Sequence, residues 1–384
     1  MRTQADMSQQ LSVPDTSKPL RIERGVCHVS FAYDAARFID LNEAERRIHK
    51  TAERQTMQHR RRTPSHFGYR PPPLRIGDSC EPLTLGPLTT GSNVDLLLYD
   101  FGAVTASYTI ALSGSLEDLL VLSEALYDNA SLLKDSRKRV DDLMKTLGDA
   151  ATHANVATIV EDYVIFQIEA LSEPIGVGRF LTDYRRQIAQ ILRAERRPLS
   201  HQEVEDAFAA VLSYGTEDVV IADWNAALLL DREGEDVREV LQFANVELLE
   251  MRYLEQKLDS SLDRAYEALS RRRRGVLGRL GRHNAAVRAI AEHQVDSATL
   301  FEGVNNALKL LGDQYLARVY KMASLRFHLD DWDASILRKL QTLESIYQKM
   351  SNEAVNKRME VLEAVIIILF VFSIILELLH FRTP

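Results

Sequence analysis

Short apolar stretches separated by turn residues alternate with helical patterns over roughly the first 235 residues of the chain. Residues 25–31 and 163–168 have the alternating or continuously apolar character of strands. Two further pairs of apolar runs flank turns that begin at Asp100 and Asp223. Ser115 opens a Ser-x-x-acid pattern, which is typical of a helix N-terminus. The pattern therefore predicts an α+β fold for this part of the chain.

The two turns share a chemistry that suggests an internal duplication. One turn contains Asp100 and Gly102 and the other contains Asp223 and Asn225, each in the order Asp, aromatic, Gly or Asn, Ala. Gly and Asn are the residues that adopt a positive φ most readily. Because each hairpin follows a strand and precedes an acidic helix start, we predict a duplicated β-α-β-β-α unit. The alternative is that any two hairpins share turn chemistry.

Strand patterns end near Glu235, and apolar residues such as Leu248 and Leu308 then recur at spacings of three and four. No proline occurs between Pro198 and Pro384. This pattern predicts a stalk of long antiparallel or coiled-coil helices. An apolar stripe on such a stalk needs a partner, which predicts a homo-oligomer, although a second helix of the same chain satisfies it equally well.

The last part of the chain contains an apolar run bracketed by Glu363 and Glu377. Widened to Val361–Phe381, it forms a helix of about 31 Å, which matches a hydrocarbon core of about 30 Å. The run has no polar stripe, unlike a surface helix, so we predict one C-terminal transmembrane helix. The alternative is a helix buried inside an oligomer. The predicted membrane anchor consists of Ala364, Val365, Ile366, Ile367, Ile368, Leu369, Phe370, Val371, Phe372, Ile374, Ile375 and Leu376.

Basic residues predict the orientation of this anchor. Lys349, Lys357 and Arg358 precede the apolar run, whereas only Arg382 follows it. By the positive-inside rule the bulk of the chain faces the cytoplasm. The whole chain then divides into a disordered tail (1–22), a first α+β unit (23–145, with a loop at 55–92), a second unit (146–235), a helical stalk (236–356) and the anchor (357–384).

The charge of the chain limits its nucleic-acid chemistry. A net charge of -8 and a pI near 5.8 argue against a general nucleic-acid binder. One basic cluster nevertheless stands out, and it is a candidate contact for RNA phosphates or anionic lipid headgroups. The alternative is a hydrated helical corner. The cluster consists of Arg271, Arg272, Arg273, Arg274, Arg279 and Arg282.

The sequence contains no recognisable catalytic or cofactor motif. It has no Walker A loop, HExxH or GxSxG, and Gly176 and Gly178 lack the third glycine of a dinucleotide-binding loop. We therefore predict a non-enzymatic protein without a catalytic residue, metal, cofactor or small-molecule substrate. One rival is an enzyme that uses Asp100 and Asp223, whose other role is turn initiation. A second rival is an oligomeric channel lined by Glu363 or Glu377.

Three segments of the chain resemble the YagE-like family, which includes the proteins required for meiotic nuclear division. They are Asp100–Ala103, Asp223–Ala226 and Arg358–Leu369, and the resemblance spans about 93–381. It implies a membrane-anchored protein without known enzymatic activity, whose mitochondrial members support translation by holding ribosomes near the inner membrane. The N-terminus has no apolar signal or arginine-rich transit pattern. We therefore expect a tether at a bacterial inner membrane rather than a mitochondrial one, with a ribosome or another ribonucleoprotein as partner.

Overall fold

The structure is a computed structural model, and it describes residues 20–48, 52–54, 72–86, 88–272 and 314–380. Thirteen strands are present in the described residues. Their bounds are β1 Arg21–Asp34, β2 Phe38–Ile39, β3 Ala52–Arg54, β4 Leu74–Ser79, β5 Thr84–Leu85, β6 Leu88–Thr89, β7 Asn93–Leu98, β8 Ala103–Ser115, β9 Ala151–Thr152, β10 Glu161–Leu171, β11 Val211–Leu212, β12 Val219–Ala222 and β13 Ala226–Leu230.

Nine α-helices accompany the strands in the same described part of the chain. Their bounds are α1 Leu41–Arg47, α2 Leu116–Leu126, α3 Ala130–Leu147, α4 Val177–Asp183, α5 Arg185–Arg193, α6 His201–Ala207, α7 Glu235–Arg272, α8 Gln314–Arg326 and α9 Leu329–His380. The predicted helix start at Ser115 is confirmed. The Ser115 side chain accepts from the Asp118 backbone N–H, and the Asp118 carboxylate accepts from the Ser115 backbone N–H.

One mixed sheet organises the α+β head, with the strand order β11-β12-β13-β10-β1-β8-β7-β4-β3. The long strands β1 and β10 form its centre and pair antiparallel. The pair of β10 and β13 is parallel, and the other neighbours in this sheet are antiparallel. The sequence prediction of an α+β head followed by helices is therefore confirmed.

The predicted duplication is not confirmed, because the two hairpins join the centre of the sheet differently. The first hairpin (β7 and β8) pairs with β1 through an antiparallel strand, whereas the second (β12 and β13) pairs with β10 through a parallel strand. The turns differ too. Gly102 has φ +107°, but Asn225 does not have a positive φ. Similar turn sequences thus occur in two hairpins of different topology.

Two other stretches differ from the predicted pattern. The single helix that the β-α-β-β-α unit predicts after its first strand is interrupted, since the stretch after β1 contains β2, the short α1 and β3. The predicted loop 55–92 contains β4, which pairs with β7 over Leu74–Ser79. Isolated glycines and arginines concealed the alternation of Leu74 and Ile76, both of which are buried.

Apolar layers cover both faces of the sheet, so each central strand contributes to two cores. Along β10, Phe166 and Ile168 pack in the cluster that includes α2, α3 and α5, whereas Tyr163 and Ile165 pack with α7 and α8. Alternate side chains of a strand point to opposite faces. A sheet covered on both faces requires nearly continuous apolar strands, and β13 is accordingly buried along its whole length.

Helices α7 and α9 run side by side in the same direction. Ser335 donates to Glu255 at 2.6 Å, and Lys339 pairs with Asp259 at 2.6 Å. The partners differ by 80 residue numbers in both pairs, so the numbers rise together along the two helices. A small apolar core that includes Leu258 and Leu343 lies between the two helices. The antiparallel arrangement predicted for the long helices is therefore wrong for this pair, since heptad spacing predicts a seam but not its direction.

Among the described residues, no helix is long and apolar enough to cross a membrane. The predicted transmembrane helix is therefore not found, and Ala364–Leu376 is the end of the continuous helix α9. The apolar run is shorter than the roughly 20 residues that a span needs. Extending it in either direction takes in Glu363 or Glu377.

Candidate functional site

A cavity of about 500 Å³ lies where the α+β head meets helix α7. Four segments form its wall: the residues that follow β1, the tip of the β7–β8 hairpin, the stretch around β9, and one side of α7. Its size is that of an ordinary small-ligand pocket. The lining residues are Asp34, Ala36, Arg37, Phe38, Phe101, Thr152, His153, Asn155, Glu250, Tyr253, Leu254 and Lys257.

The tip of the first hairpin fixes one wall of the cavity. The carbonyl of Gly102 accepts from the backbone N–H groups of Ala35 at 3.1 Å and Ala36 at 3.2 Å. Gly102 has a positive φ, and a Cβ at this position would overlap the carbonyl oxygen of Ala36. Only glycine satisfies both constraints. The hairpin thereby holds the chain after Asp34 in place and brings Phe101 to the cavity.

The stretch around β9 forms the neighbouring wall. The backbone N–H of Asn155 donates to the carbonyl of Ala35 at 2.9 Å, and that of Ala157 donates to the carbonyl of Asp34 at 2.8 Å. His153 adopts φ +51°, which is uncommon for a residue other than glycine. Backbone hydrogen bonds at Asp34 and at the two residues that follow it therefore fix the position of Asp34.

Two carboxyl groups meet at the deep end of the cavity. Glu250 is 1% exposed and Asp34 is 8% exposed. Burial and the neighbouring Asp34 carboxyl raise the pKa of Glu250 well above its usual value. Asp34 also raises it by hydrogen bonding to the protonated form, yet neither oxygen of Glu250 reaches full hydrogen-bond geometry with any described residue. Glu250 therefore keeps its proton in a buried place beside the Asp34 carboxyl group.

Cationic and aromatic groups lie nearer the mouth. The ammonium group of Lys257 stands 4.0 Å from the centroid of the Tyr253 ring. Arg37 and Phe38 are exposed. Burial raises the pKa of the Tyr253 hydroxyl, which Lys257 partly offsets. The acids of this site are thus its most buried charged groups, and its cations lie at more exposed positions.

Only one of the two predicted turn aspartates is near this cavity. Asp100 lies next to Phe101, and burial raises the pKa of its carboxyl. Its backbone carbonyl accepts from the N–H of Ile39 at 2.8 Å, which joins the tip of the first hairpin to β2. Asp223 belongs to a separate ionic cluster on the other hairpin.

That cluster joins the second hairpin to three helices. Arg193 of α5 donates to Asp223 at 2.8 Å, and Arg326 of α8 donates to the other carboxylate oxygen at 2.9 Å. Asp206 bridges the same two arginines, which hold the pKa of its carboxyl at about 2. Asp223 is 2% exposed. Its two carboxylate oxygens are occupied by guanidinium groups, so its geometry is that of a clamp between the sheet and α8.

The predicted arginine cluster lies mostly outside the residues that the structure describes. Arg273, Arg274, Arg279 and Arg282 lie outside the described residues, and Arg271 and Arg272 are the last residues of α7. No group of three or more His, Cys, Asp or Glu residues in the described ranges is placed to hold a metal ion. A second cavity of about 390 Å³ is lined by Arg139, which forms ion pairs with Asp78 and Asp135.

Sequence reasoning missed the Asp34–Glu250 pair. Asp34 ends a strand and Glu250 lies 216 residues later in a helix, so no local motif joins them. A signal did exist in α7, where Glu247 and Glu250 follow the apolar residues Val246 and Leu249 in a helix that begins soon after the last strand of the head. Acidic residues among apolar ones in such a helix indicate buried carboxyl groups.

The fold and the cavity define a class: an α+β domain on a mixed sheet, continued by long helices, with a buried acidic pocket at the junction. A family model for "Uncharacterized protein MJ0711, N-terminal domain" matches residues 24–236. This is more than half of the chain, and the chain belongs to that family. The resemblance to the YagE-like family is therefore wrong, because short turn and tail motifs carried it whereas the family match covers the whole head.

One curated relative is similar to more than half of this chain. Uncharacterized protein MJ0711 of Methanocaldococcus jannaschii is 22% identical to this chain over 226 residues, covering 58% of this chain and 68% of that protein. No solved structure matches the chain. The comparisons therefore establish the family of this chain. What the site can do chemically is inferred from its geometry.

Asp223→Asn should lower the free energy of unfolding by about 3 kcal/mol, because it leaves two guanidinium groups without their buried counter-charge. Chemical denaturation of the full chain measures this change. Glu217→Gln, an exposed acid just before β12, should leave stability within about 0.5 kcal/mol. An unchanged stability of Asp223→Asn would contradict the clamp.

Glu250→Gln should flatten the decline of stability with rising pH. The raised pKa of Glu250 means that the folded protein keeps a proton that the unfolded chain releases above about pH 4.5, so its contribution falls as pH rises. Melting temperatures of the full chain at about pH 5 and about pH 8 should therefore differ less in this variant. Asp263→Asn, which removes the same charge at an exposed position of α7, should keep the original difference. Equal pH dependence in Glu250→Gln and the unaltered protein would argue against a buried protonated Glu250.

Proposed function

We propose that the protein is a non-enzymatic tether whose α+β head is held near a membrane by the apolar end of helix α9. The observation that carries this proposal is the exposure of that end. Six successive large apolar residues, Val365–Phe370, are 47% to 69% exposed. Large apolar surface that faces water is costly and marks a place of interaction.

The position of this end along the helix supports a tether. The register between α7 and α9 places the last residue of α7, Arg272, beside residue 352. Helix α9 continues to His380, which is about 42 Å further at 1.5 Å per residue. The apolar end is thus remote from the head, as expected of an element that positions one body at a distance from another.

The distribution of apolar residues favours lipid over a protein seam. A two-helix seam needs an apolar stripe on one side of the helix. The exposed residues between Val365 and Phe370 are consecutive, so they surround the helix. Together they span about 9 Å, which fits the depth of about 5–10 Å to which apolar elements enter the boundary of a bilayer. Attachment by insertion needs no crossing of the membrane.

Other parts of the expectation stay predictions. The predicted cytoplasmic orientation rests on the flanking basic residues, and the bacterial inner membrane stays a prediction. A ribosome or ribonucleoprotein contact rests on the arginine cluster that begins at Arg271, now without support from the YagE-like resemblance. The predicted self-association rests on the apolar stripe of the long helices. Part of that stripe is already buried in the contact between α7 and α9.

Flotation with vesicles tests the tether. The full chain should float with vesicles of phosphatidylcholine and phosphatidylglycerol in a density gradient, because the exposed apolar end enters the lipid. Ile366→Glu combined with Leu369→Glu should remain at the bottom, since each charge opposes insertion by about 2.5–3.5 kcal/mol at a helix centre. Leu337→Glu, at a 47% exposed leucine earlier in the same helix, should still float.

Analytical ultracentrifugation of the same proteins tests the alternative that a second copy of the chain covers the apolar end of α9. A full chain that does not float, and that sediments as a stable oligomer which the double variant dissociates, would show that a second copy covers the apolar end. That outcome would replace the tether with an assembly role.

A further inference from the structure

Helix α9 begins where three helices meet. Its first residue, Leu329, is 2% exposed and packs with apolar residues of α7 and α8, and Trp332 packs against the same core. The turn before the helix contains His328, which adopts φ +55°. The carbonyl of His328 accepts from the backbone N–H groups of Asp331 at 3.0 Å and Trp332 at 3.1 Å. A tight turn and a small apolar contact therefore place the start of α9 against α7 and α8.

Glu247 of α7 is buried at this junction. It is 3% exposed, and it accepts a hydrogen bond from the hydroxyl of Tyr320 on α8. Within the described residues, no cation is among the groups that shift the pKa of Glu247. The buried Glu239 of the same helix differs, since it lies 3.7 Å from a guanidinium nitrogen of Arg75. Ionised Glu247 would thus be a buried charge without a counter-charge, which is costly.

The start of α9 places two further acids near Glu247. The carboxyl groups of Asp330 and Asp333 both act on Glu247, and one carboxyl oxygen of Asp333 is buried without a hydrogen-bond partner in the described residues. Tyr320 of α8 and these two aspartates of α9 are the titratable groups that act on Glu247 within the described part of the chain. Like charges therefore face each other across the contact between α7 and α9 once Glu247 ionises.

We propose that the start of α9 is a pH-sensitive joint, in which the ionisation of Glu247 repels Asp330 and Asp333 and loosens the first turn of α9 from α7 and α8. Repulsion between like charges is strong where water is excluded. The joint is at the head end of α9, so this inference is independent of the tether, which depends on the opposite end of the helix.

The direction of the pH effect follows from Glu247. Burial raises the pKa of its carboxyl to about 7, with a smaller contribution from Asp330 and Asp333, and the hydrogen bond from Tyr320 partly offsets the rise. The folded protein thus keeps a proton that the unfolded chain releases above about pH 4.5. The stabilisation of the joint is complete below that pH and is lost as pH rises through about 7. The joint is therefore tight in mild acid and loosens across neutral pH.

Fluorescence of Trp332 measures the state of the joint, because this residue lies in the first turn of α9. The chain contains two tryptophans, so Trp224→Phe leaves Trp332 as the sole tryptophan. Phenylalanine retains an aromatic ring for the edge-on contact of Trp224 with Phe327. In the full chain with this change, we expect the emission of Trp332 to move to longer wavelength as pH rises, with a midpoint near about pH 7, since the loosened residue gains exposure to water.

Two further variants in this background test the role of Glu247. Glu247→Gln should abolish the transition, because the amide cannot ionise although its oxygen still accepts from Tyr320. Asp333→Asn should keep the transition and lower its midpoint by about half a pH unit or more, because the loss of a nearby negative charge makes Glu247 easier to ionise. A purely structural role of Asp333 would not move the midpoint. This second variant also decides the proposal if Glu247→Gln does not fold.

Two controls separate the joint from other titrating groups. Glu239→Gln removes another buried acid of α7 whose pKa is also about 7, and it should keep the transition. His328→Asn removes the imidazole that lies 3.2 Å from Asp331, and asparagine tolerates the positive φ, so it should keep the transition too. The proposal is overturned if the emission of Trp332 does not change with pH, if Glu247→Gln keeps the transition, if Asp333→Asn leaves the midpoint in place, or if either control abolishes the transition.

Discussion

Docking of helix α7 across the second face of the sheet is the constraint on which the rest of the structure depends. Its first half is buried between β1, β10 and helix α8. Because that half carries charged residues as well as apolar ones, each charge needs a partner in the interior. Gln242 donates to Ser30 at 2.7 Å, Arg252 pairs with Glu161, and Arg238 contacts His28 at 3.3 Å. A polar layer thus fixes the register of the helix on the sheet.

The same docking explains why the head and the long helices form a continuous body. Apolar residues of α7 and α8 fill the space above Tyr163 and Ile165, and the clamp at Asp223 fastens α8 to the second hairpin. Helix α9 then starts beside the head and follows α7 outward. The contacts that α7 and α8 make with the sheet therefore set the direction of the long helices.

Local patterns predicted the elements well and their assembly less well. The cap at Ser115, the hairpin at Gly102 and the long helices each follow from residues within a few positions of one another. The parallel pairing of β13 with β10, the direction of α9 and the meeting of Asp34 with Glu250 depend on contacts between distant residues. Two similar turns suggested a duplication because turn chemistry reports local φ and ψ, whereas sheet topology is set by longer connections.

Buried carboxyl groups along α7 also change the electrical character of the folded protein. Burial raises the pKa of Glu239 and Glu247 on this helix to about 7, and it does the same for Glu161 on β10. The formal charge of -8 counts all of these groups, and Glu250, as ionised. At neutral pH the folded molecule therefore carries fewer negative charges than its unfolded chain, and unfolding makes it more anionic. Its isoelectric point is consequently a property of the fold as well as of the composition.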